Sequence, residues 1–191
     1  MLNLKFKEFE SEYKFMIDKI LYCRINKDLN WVNEYEQKNY YFLDSSEVLK
    51  EKNITVRVRN LDECYRLQVK VPMEIKGSLS QKIEYETYLQ ELPNKIMGSE
   101  LTDICGCNLS DLYCMGELCT LRKTYMLSPN VKICLDFNRY LGAEDYEIEF
   151  ECKDNQDSIV DFLSKYGINK QQIISKGKFT RFLERYDLLR G

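Results

Sequence analysis

Between Glu8 and Phe15 the chain reads EFESEYKF, which as a strand puts Glu8, Glu10, Glu12 and Lys14 on one face and Phe9, Tyr13 and Phe15 on the other. Same-face side chains on a strand lie roughly 7 Å apart, so three carboxylates in a row repel one another unless something positive lies between them. Other segments repeat the device with different signs. One puts Arg57 and Arg59 on a face, and the next Arg66 and Lys70. Lys82, Glu84 and Glu86 follow, then Arg122 with Thr120 and Thr124, Lys132 with Asp136, and finally Glu147, Glu149 and Glu151. The opposite positions are mostly Val, Leu, Ile, Phe and Tyr. Two readings are open. Each strand turns a wet charged face to solvent, as antiparallel sheets often do. Or the rows face one another, acidic against basic, around a polyanion and its cations, because buried charge is tolerated only when paired.

The elements that must carry these residues read as follows. Residues 4–15 alternate as a strand, and a helix is expected from about Lys14 to Leu29. Asn39–Asp44 is a strand, followed by a turn into a short helix capped by Asp44 or Ser45. ITVRVRN and CYRLQVKVP form a hairpin turning at Asn60, Leu61 and Asp62. IEYETYL is a strand, and residues 92–116 are expected to be mostly helical, broken near Gly106. ELCTLRKTYML, NVKICLDFN and DYEIEFEC alternate again. SIVDFLSKYG is a helix closed by Gly167, and the tail SKGKFTRFLERYDLL is helical at least in part. With no linker or repeat, 191 residues make one α+β domain rich in antiparallel strands.

Composition narrows the chemistry. The net charge of −3 predicts no bulk attraction to nucleic acid or to a membrane surface. No apolar run is long enough to span a bilayer, and MLNLKFKEFE lacks the features of a signal peptide. Eight cysteines without an export signal point to a reducing cytoplasm. The absence of histidine removes Ser-His and Cys-His nucleophile systems and His-ligated zinc. Cys105, Cys107, Cys114 and Cys119 cluster without a CxxC knuckle and read as small apolar residues. Trp31, Tyr35, Tyr40, Tyr41 and Phe42 could stack on a nucleobase or thiamine ring, but packing in the core or the barrel wall is the favoured reading.

Taken in order, these motifs resemble the CYTH group, the triphosphate tunnel metalloenzymes. ESEYK fits the ExExK signature with Glu10, Glu12 and Lys14. VRVR (Arg57, Arg59), LQVK (Lys70), CTLR (Arg122), LDFNRYLG (Asp136), DYEIEFE (Glu147, Glu149) and SKGKFTRF then follow, covering nearly the whole chain, 1–191. The resemblance implies a closed antiparallel barrel of about eight strands forming a charged tunnel, with flanking helices. It implies Mg²⁺- or Mn²⁺-dependent hydrolysis of a small triphosphate: inorganic, thiamine or nucleoside triphosphate. A class IV adenylyl cyclase and a non-catalytic polyphosphate or nucleotide binder are the alternatives. Carried over by position, Lys14, Arg57, Arg59, Lys70, Arg122 and either Lys176 or Lys178 hold phosphate oxygens. Glu10, Glu12, Asp136, Glu147 and Glu149 are the metal ligands. Glu10, Glu12 and Lys14 carry catalysis. Cys134 occupies the other same-face position at which family members place their aspartate. Gln68 stands where a threonine is common. Nothing in the pattern sets an oligomeric state or a role for Glu84, Glu86 and Glu151.

Overall fold

Alternation of charged and apolar residues carries through nine strands. A computed structural model describes residues 2–73, 80–152, 157–169 and 176–191. The strands are β1 (Lys5–Ile17), β2 (Asn33–Asp44), β3 (Thr55–Leu61), β4 (Cys64–Pro72), β5 (Ser80–Leu89), β6 (Lys95–Ile96), β7 (Leu112–Ser128), β8 (Val131–Tyr140) and β9 (Ala143–Cys152). The α-helices are α1 (Lys19–Asp28), α2 (Val48–Glu51), α3 (Thr102–Cys105), α4 (Asp157–Tyr166) and α5 (Lys178–Arg190). The hydrogen-bonded order is β2-β3-β4-β5-β1-β9-β8-β7-β6, and β2 also pairs with β7. Eight strands therefore close into an antiparallel barrel, with β6 outside the ring on β7. Closure leaves those eight without an exposed edge. Among the described residues no helix is long and apolar enough to cross a membrane.

The chain divides into two compact units. The first holds Met1–Glu10, Gln37–Glu74 and Gln81–Leu118; the second is built mainly from Ser11–Glu36 and Cys119–Gly191. In the first, Val56, Val58, Leu67 and Val69 are completely buried on one face of β3 and β4. In the second, Phe15, Ile133, Leu135, Ile148 and Phe150 form a core. Tyr22 and Ile25 of α1 and Ile159, Phe162, Leu163 and Tyr166 of α4 complete that core. Register then decides which charges meet. Gln68 lies opposite Arg57 on one side and Glu86 on the other, and Lys70 lies opposite Glu84. Lys14 faces Glu149, and Asp136 faces Glu147. Side chains directly opposite on neighbouring strands share a face. The charged face is buried as well: Glu12, Arg57, Lys70, Glu84, Arg122, Asp136, Glu147 and Glu149 are all shielded from solvent. That rules out the wet-face reading for these positions.

Several element expectations are corrected. β1 runs on to Ile17 and the helix begins only at Lys19, because Asp18 caps it by accepting from the Leu21 N–H at 2.7 Å. The hairpin turns at Asp62 and Glu63, both at positive φ, since Asn60 and Leu61 stay in the ladder opposite Tyr65 and Cys64. Residues 92–116 are not mostly helical. They hold β6, a 3₁₀ turn at Gly98–Glu100, the single turn α3 and the start of β7. Ile96, Leu101, Cys105 and Leu112 are buried in this stretch, and of these only Leu101 and Cys105, in the single turn at α3, keep a helix's spacing. Gly98 permits the route, since a Cβ there would lie 2.3 Å from the carbonyl oxygens of Leu109 and Ser110. The N-cap residue of α2 is Glu47, at positive φ, rather than Asp44 or Ser45, but the Asp44 carboxylate still serves that end by accepting from the N–H groups of Val48 and Leu49. α4 ends as expected at Gly167, whose left-handed backbone lets Ile168 N–H donate to the Leu163 carbonyl.

Candidate active site

In the first unit, Arg57 Nε donates to Gln68 Oε1 at 2.9 Å, and Gln68 Nε2 donates to Glu84 at 2.8 Å and to Glu86 at 3.2 Å. Lys70 Nζ lies 2.6 Å from Glu10 and 2.9 Å from Glu84. Lys7 reaches the same Glu84 at 2.9 Å. Arg59 Nε donates to Asn39 Oδ1 at 3.1 Å. Gln68 acts as a coupler: its amide accepts from a cation and donates to two carboxylates. Burial opposes ionisation of Glu84, but Lys70 and Arg57 outweigh it and hold the group down at about 2.

In the second unit, Arg122 grips Asp136 through both arms of its fork, Nε to Oδ1 at 2.8 Å and Nη2 to Oδ2 at 2.6 Å. The same Nη2 donates to Glu149 at 2.5 Å. Lys178, at the first turn of α5, places Nζ 2.8 Å from Asp136 and 2.9 Å from Glu149, and against Glu147 as well. Three residues on, Arg181 bonds Asp145 and Glu147, each at 2.8 Å. Lys14 bridges Glu12 at 2.7 Å and Glu149 at 3.3 Å. Carboxylate oxygens of Asp136, Glu147 and Glu149 lie within 4.8 Å of one another, as do donor atoms of Cys134, Glu149 and Glu151. Burial would raise Asp136, yet Arg122 and Lys178 hold it far below the usual carboxylate range. Burial also pulls Lys178 down to about 7 against the attraction of Asp136. A lysine so poised, and an arginine fork already closed on carboxylates, are groups that a more strongly charged anion can recruit.

The CYTH domain description matches residues 8–181. This chain belongs to the CYTH domain family. It is 30% identical, over 93% of its length and 96% of the relative's, to YjbK of Bacillus subtilis (strain 168), named as a candidate triphosphatase. Its fold is similar to that of bh2851 from Bacillus halodurans, described as a candidate adenylate cyclase (TM-score 0.73, 23% identity, 95% of this chain and 99% of that one). It is also similar to that of HpAC1 from Hippeastrum (TM-score 0.72, 19% identity, 92% and 95%). HpAC1 is described as a candidate adenylyl cyclase with a dominant triphosphatase activity.

Within this CYTH chain the expected residues separate into two sets. Glu12, Lys14, Arg122, Asp136, Glu147 and Glu149 come together in the second unit. Lys178 joins them. Lys176 does not: its side chain is 60% exposed and pairs with Glu184. Arg57, Arg59 and Lys70 lie in the first unit, where Glu10 sits on Lys70. Glu8 is exposed. Cys134 is buried beside Glu151, its thiol pushed well up by burial. The cysteines at 105, 107, 114 and 119 are free thiols, and among the described residues they belong to neither metal-sized group. Tyr41 and Phe42 are fully buried, and Trp31 packs edge-on to Tyr125, so these aromatics serve packing. Sequence reasoning passed over Arg181 and left Glu84 without a role. The signal for Arg181 was its spacing of three from Lys178, which puts both on one helix face. The signal for Glu84 was its place directly opposite Lys70 once the strands are paired.

Proposed function

We propose that this chain hydrolyses a phosphoanhydride bond of a triphosphate with the help of Mg²⁺ or Mn²⁺. The observation that carries the reading is the set of three buried carboxylates, Asp136, Glu147 and Glu149, into which Arg122 and Lys178 are planted. Hard carboxylate oxygens at this separation suit a small divalent cation that keeps phosphate and water among its ligands. Such an ion, when bound, neutralises phosphate charge and polarises a phosphoryl oxygen. The chain's own residues supply the rest. Arg122 turns its fork from Asp136 and Glu149 to phosphate oxygens, in the bidentate geometry guanidinium favours. Lys178 and Lys14 contribute point charges. Arg57, Arg59 and Lys70, now held by Gln68, Asn39, Glu10 and Glu84, are further phosphate ligands. Water attacks the terminal phosphorus in line: its oxygen forms the new P–O bond, its proton passes to a phosphoryl oxygen, and the bridging P–O bond breaks with its electron pair leaving on the diphosphate. Cys134 is no competing nucleophile, because burial keeps its thiol protonated.

The names of YjbK and HpAC1 support hydrolysis over cyclisation. The free thiols at 105, 107, 114 and 119 support a reducing, cytoplasmic setting. The test is phosphate release from inorganic triphosphate, ATP, GTP and thiamine triphosphate, in Mg²⁺ and in Mn²⁺. Release abolished by Asp136→Asn is expected. No release from any of them refutes the reading, and cyclic AMP with pyrophosphate as the main products of ATP would replace it with the cyclase.

A further inference from the structure

Arg57 and Arg122 are both buried, but their guanidinium groups are held in opposite ways. In the second unit, Arg122 commits Nε and Nη2 to Asp136 and Glu149, and its Nη1 lies 3.7 Å from Glu151. In the first unit, Arg57 donates through Nε alone, to Gln68 Oε1, and among the described residues it forms no ion pair with a carboxylate. Its two Nη groups are thus taken by no described residue. Carboxylates that could take them are close by. Arg57, Gln68 and Glu86 make one rung across β3, β4 and β5, and the Gln68 amide bonds both Glu84 and Glu86. Glu84 is matched by Lys70 and Lys7, each at 2.9 Å; Glu86 is matched less closely, by Lys7 at 3.3 Å. A single orientation of the amide fits these neighbours. A guanidinium has no acceptor and an ionised carboxylate no donor, so Oε1 faces Arg57 and Nε2 faces the acids. A neutral side chain therefore stands between a cation and two anions that would otherwise pair.

We propose that Gln68 is the positioning residue for Arg57: its amide keeps the guanidinium off Glu86 and leaves both Nη groups open to phosphate oxygens of the substrate. The proposal rests on the triphosphatase reading above and adds how one of its phosphate ligands is kept ready. Neighbouring strands lie about 4.8 Å apart, so the backbones at Arg57 and Glu86 are separated by about 10 Å. An arginine and a glutamate reaching toward each other close that gap when the residue between them is small. The pair so formed would be charge-assisted and bidentate, and phosphate would have to break it. Gln68 instead gives Nε a partner without neutralising the charge. The fork is already placed, and it loses little freedom when an anion binds. The threonine common at this position has a side chain too short to bond Arg57 and both carboxylates at once.

The experiment is calorimetric titration, in Mg²⁺, of diimidotriphosphate, a triphosphate whose bridging oxygens are replaced by NH groups so that it is not turned over. The hosts are wild type, Gln68→Thr, Glu86→Gln, Arg57→Ala, and Gln68→Thr combined with each of the other two. Gln68→Thr binds the analogue roughly tenfold more weakly than wild type. Adding Glu86→Gln to it restores the affinity, whereas Glu86→Gln alone leaves binding little changed. In the Arg57→Ala background Gln68→Thr has no further effect, because the residue through which Gln68 acts is gone. Wild-type affinity in Gln68→Thr overturns the proposal. So does a loss that survives Glu86→Gln or recurs in Arg57→Ala, since damage to packing would do both. Gln68→Ala, titrated in the same backgrounds, decides if Gln68→Thr fails to fold. Phosphate release from inorganic triphosphate by wild type judges hydrolysis separately. Release without the coupling of Gln68 to Arg57 keeps the triphosphatase and overturns the positioning role; coupling without release does the reverse. Absence of binding in wild type also overturns the positioning role.

Discussion

Replacing Glu84 by glutamine removes one negative charge from a buried cluster and leaves its shape. Lys70, Gln68 and Lys7 all bond this carboxylate. Its ordinary value of 4.5 is lowered to about 2, against burial, by Lys70 and Arg57. A difference of that size corresponds to about 3 kcal/mol of folding stability. The unfolded chain takes up the proton first as pH falls. The contribution is therefore complete above the ordinary carboxylate value and is lost as pH falls through the folded-state one. About 2 kcal/mol of it is gone by pH 3. Glutamine mimics the neutral acid, so Glu84→Gln is expected to be about 3 kcal/mol less stable than wild type at pH 7 and only about 1 kcal/mol less stable at pH 3. Urea unfolding followed by circular dichroism at pH 7, 5 and 3 measures this. With an m-value of about 2 kcal/mol per molar, the midpoints differ by about 1.5 M at neutral pH and converge on acidification. A gap that is absent at pH 7, or constant across the series, would show that Glu84 does not sit ionised among Lys70, Arg57 and Gln68.

Arg122→Lys keeps the charge but loses the two-armed grip on Asp136, so kcat/KM for triphosphate hydrolysis should fall roughly tenfold or more; unchanged kinetics would remove Arg122 from the phosphate ligands. Excess chelator should stop phosphate release while the far-ultraviolet circular dichroism stays the same, and turnover in chelator would refute the cation's part. Gly98→Ala forces a Cβ against two backbone carbonyls that cannot swing aside, and should cost about 2 kcal/mol or more in a thermal or urea melt; a wild-type melting curve would mean that the segment before α3 relaxes freely.

Alternation by itself determined the strands, because period two is written locally: FESEYKF, VRVRN, CYRLQVK and DYEIEFE each announce two faces of opposite character. The order of the charged motifs along the chain sufficed to place it in its family and to nominate Lys14, Arg57, Arg122, Asp136, Glu147 and Glu149. Residues 92–116 misled, since apolar residues dense enough to suggest a helix are buried there from a short strand, turns and the start of β7, with only Leu101 and Cys105 at helical spacing. Whether a charged face is wet or buried was not legible, because periodicity is the same for either; closure through the β2–β7 pairing decided it. Lys176 and Lys178 differ little in sequence context, yet only Lys178 lies within the first turn of α5, where its side chain falls among Asp136, Glu147 and Glu149. Glu84 and Gln68 acquired their partners only from register, for a strand's sequence states which residues share a face but not which residues of another strand will stand opposite them.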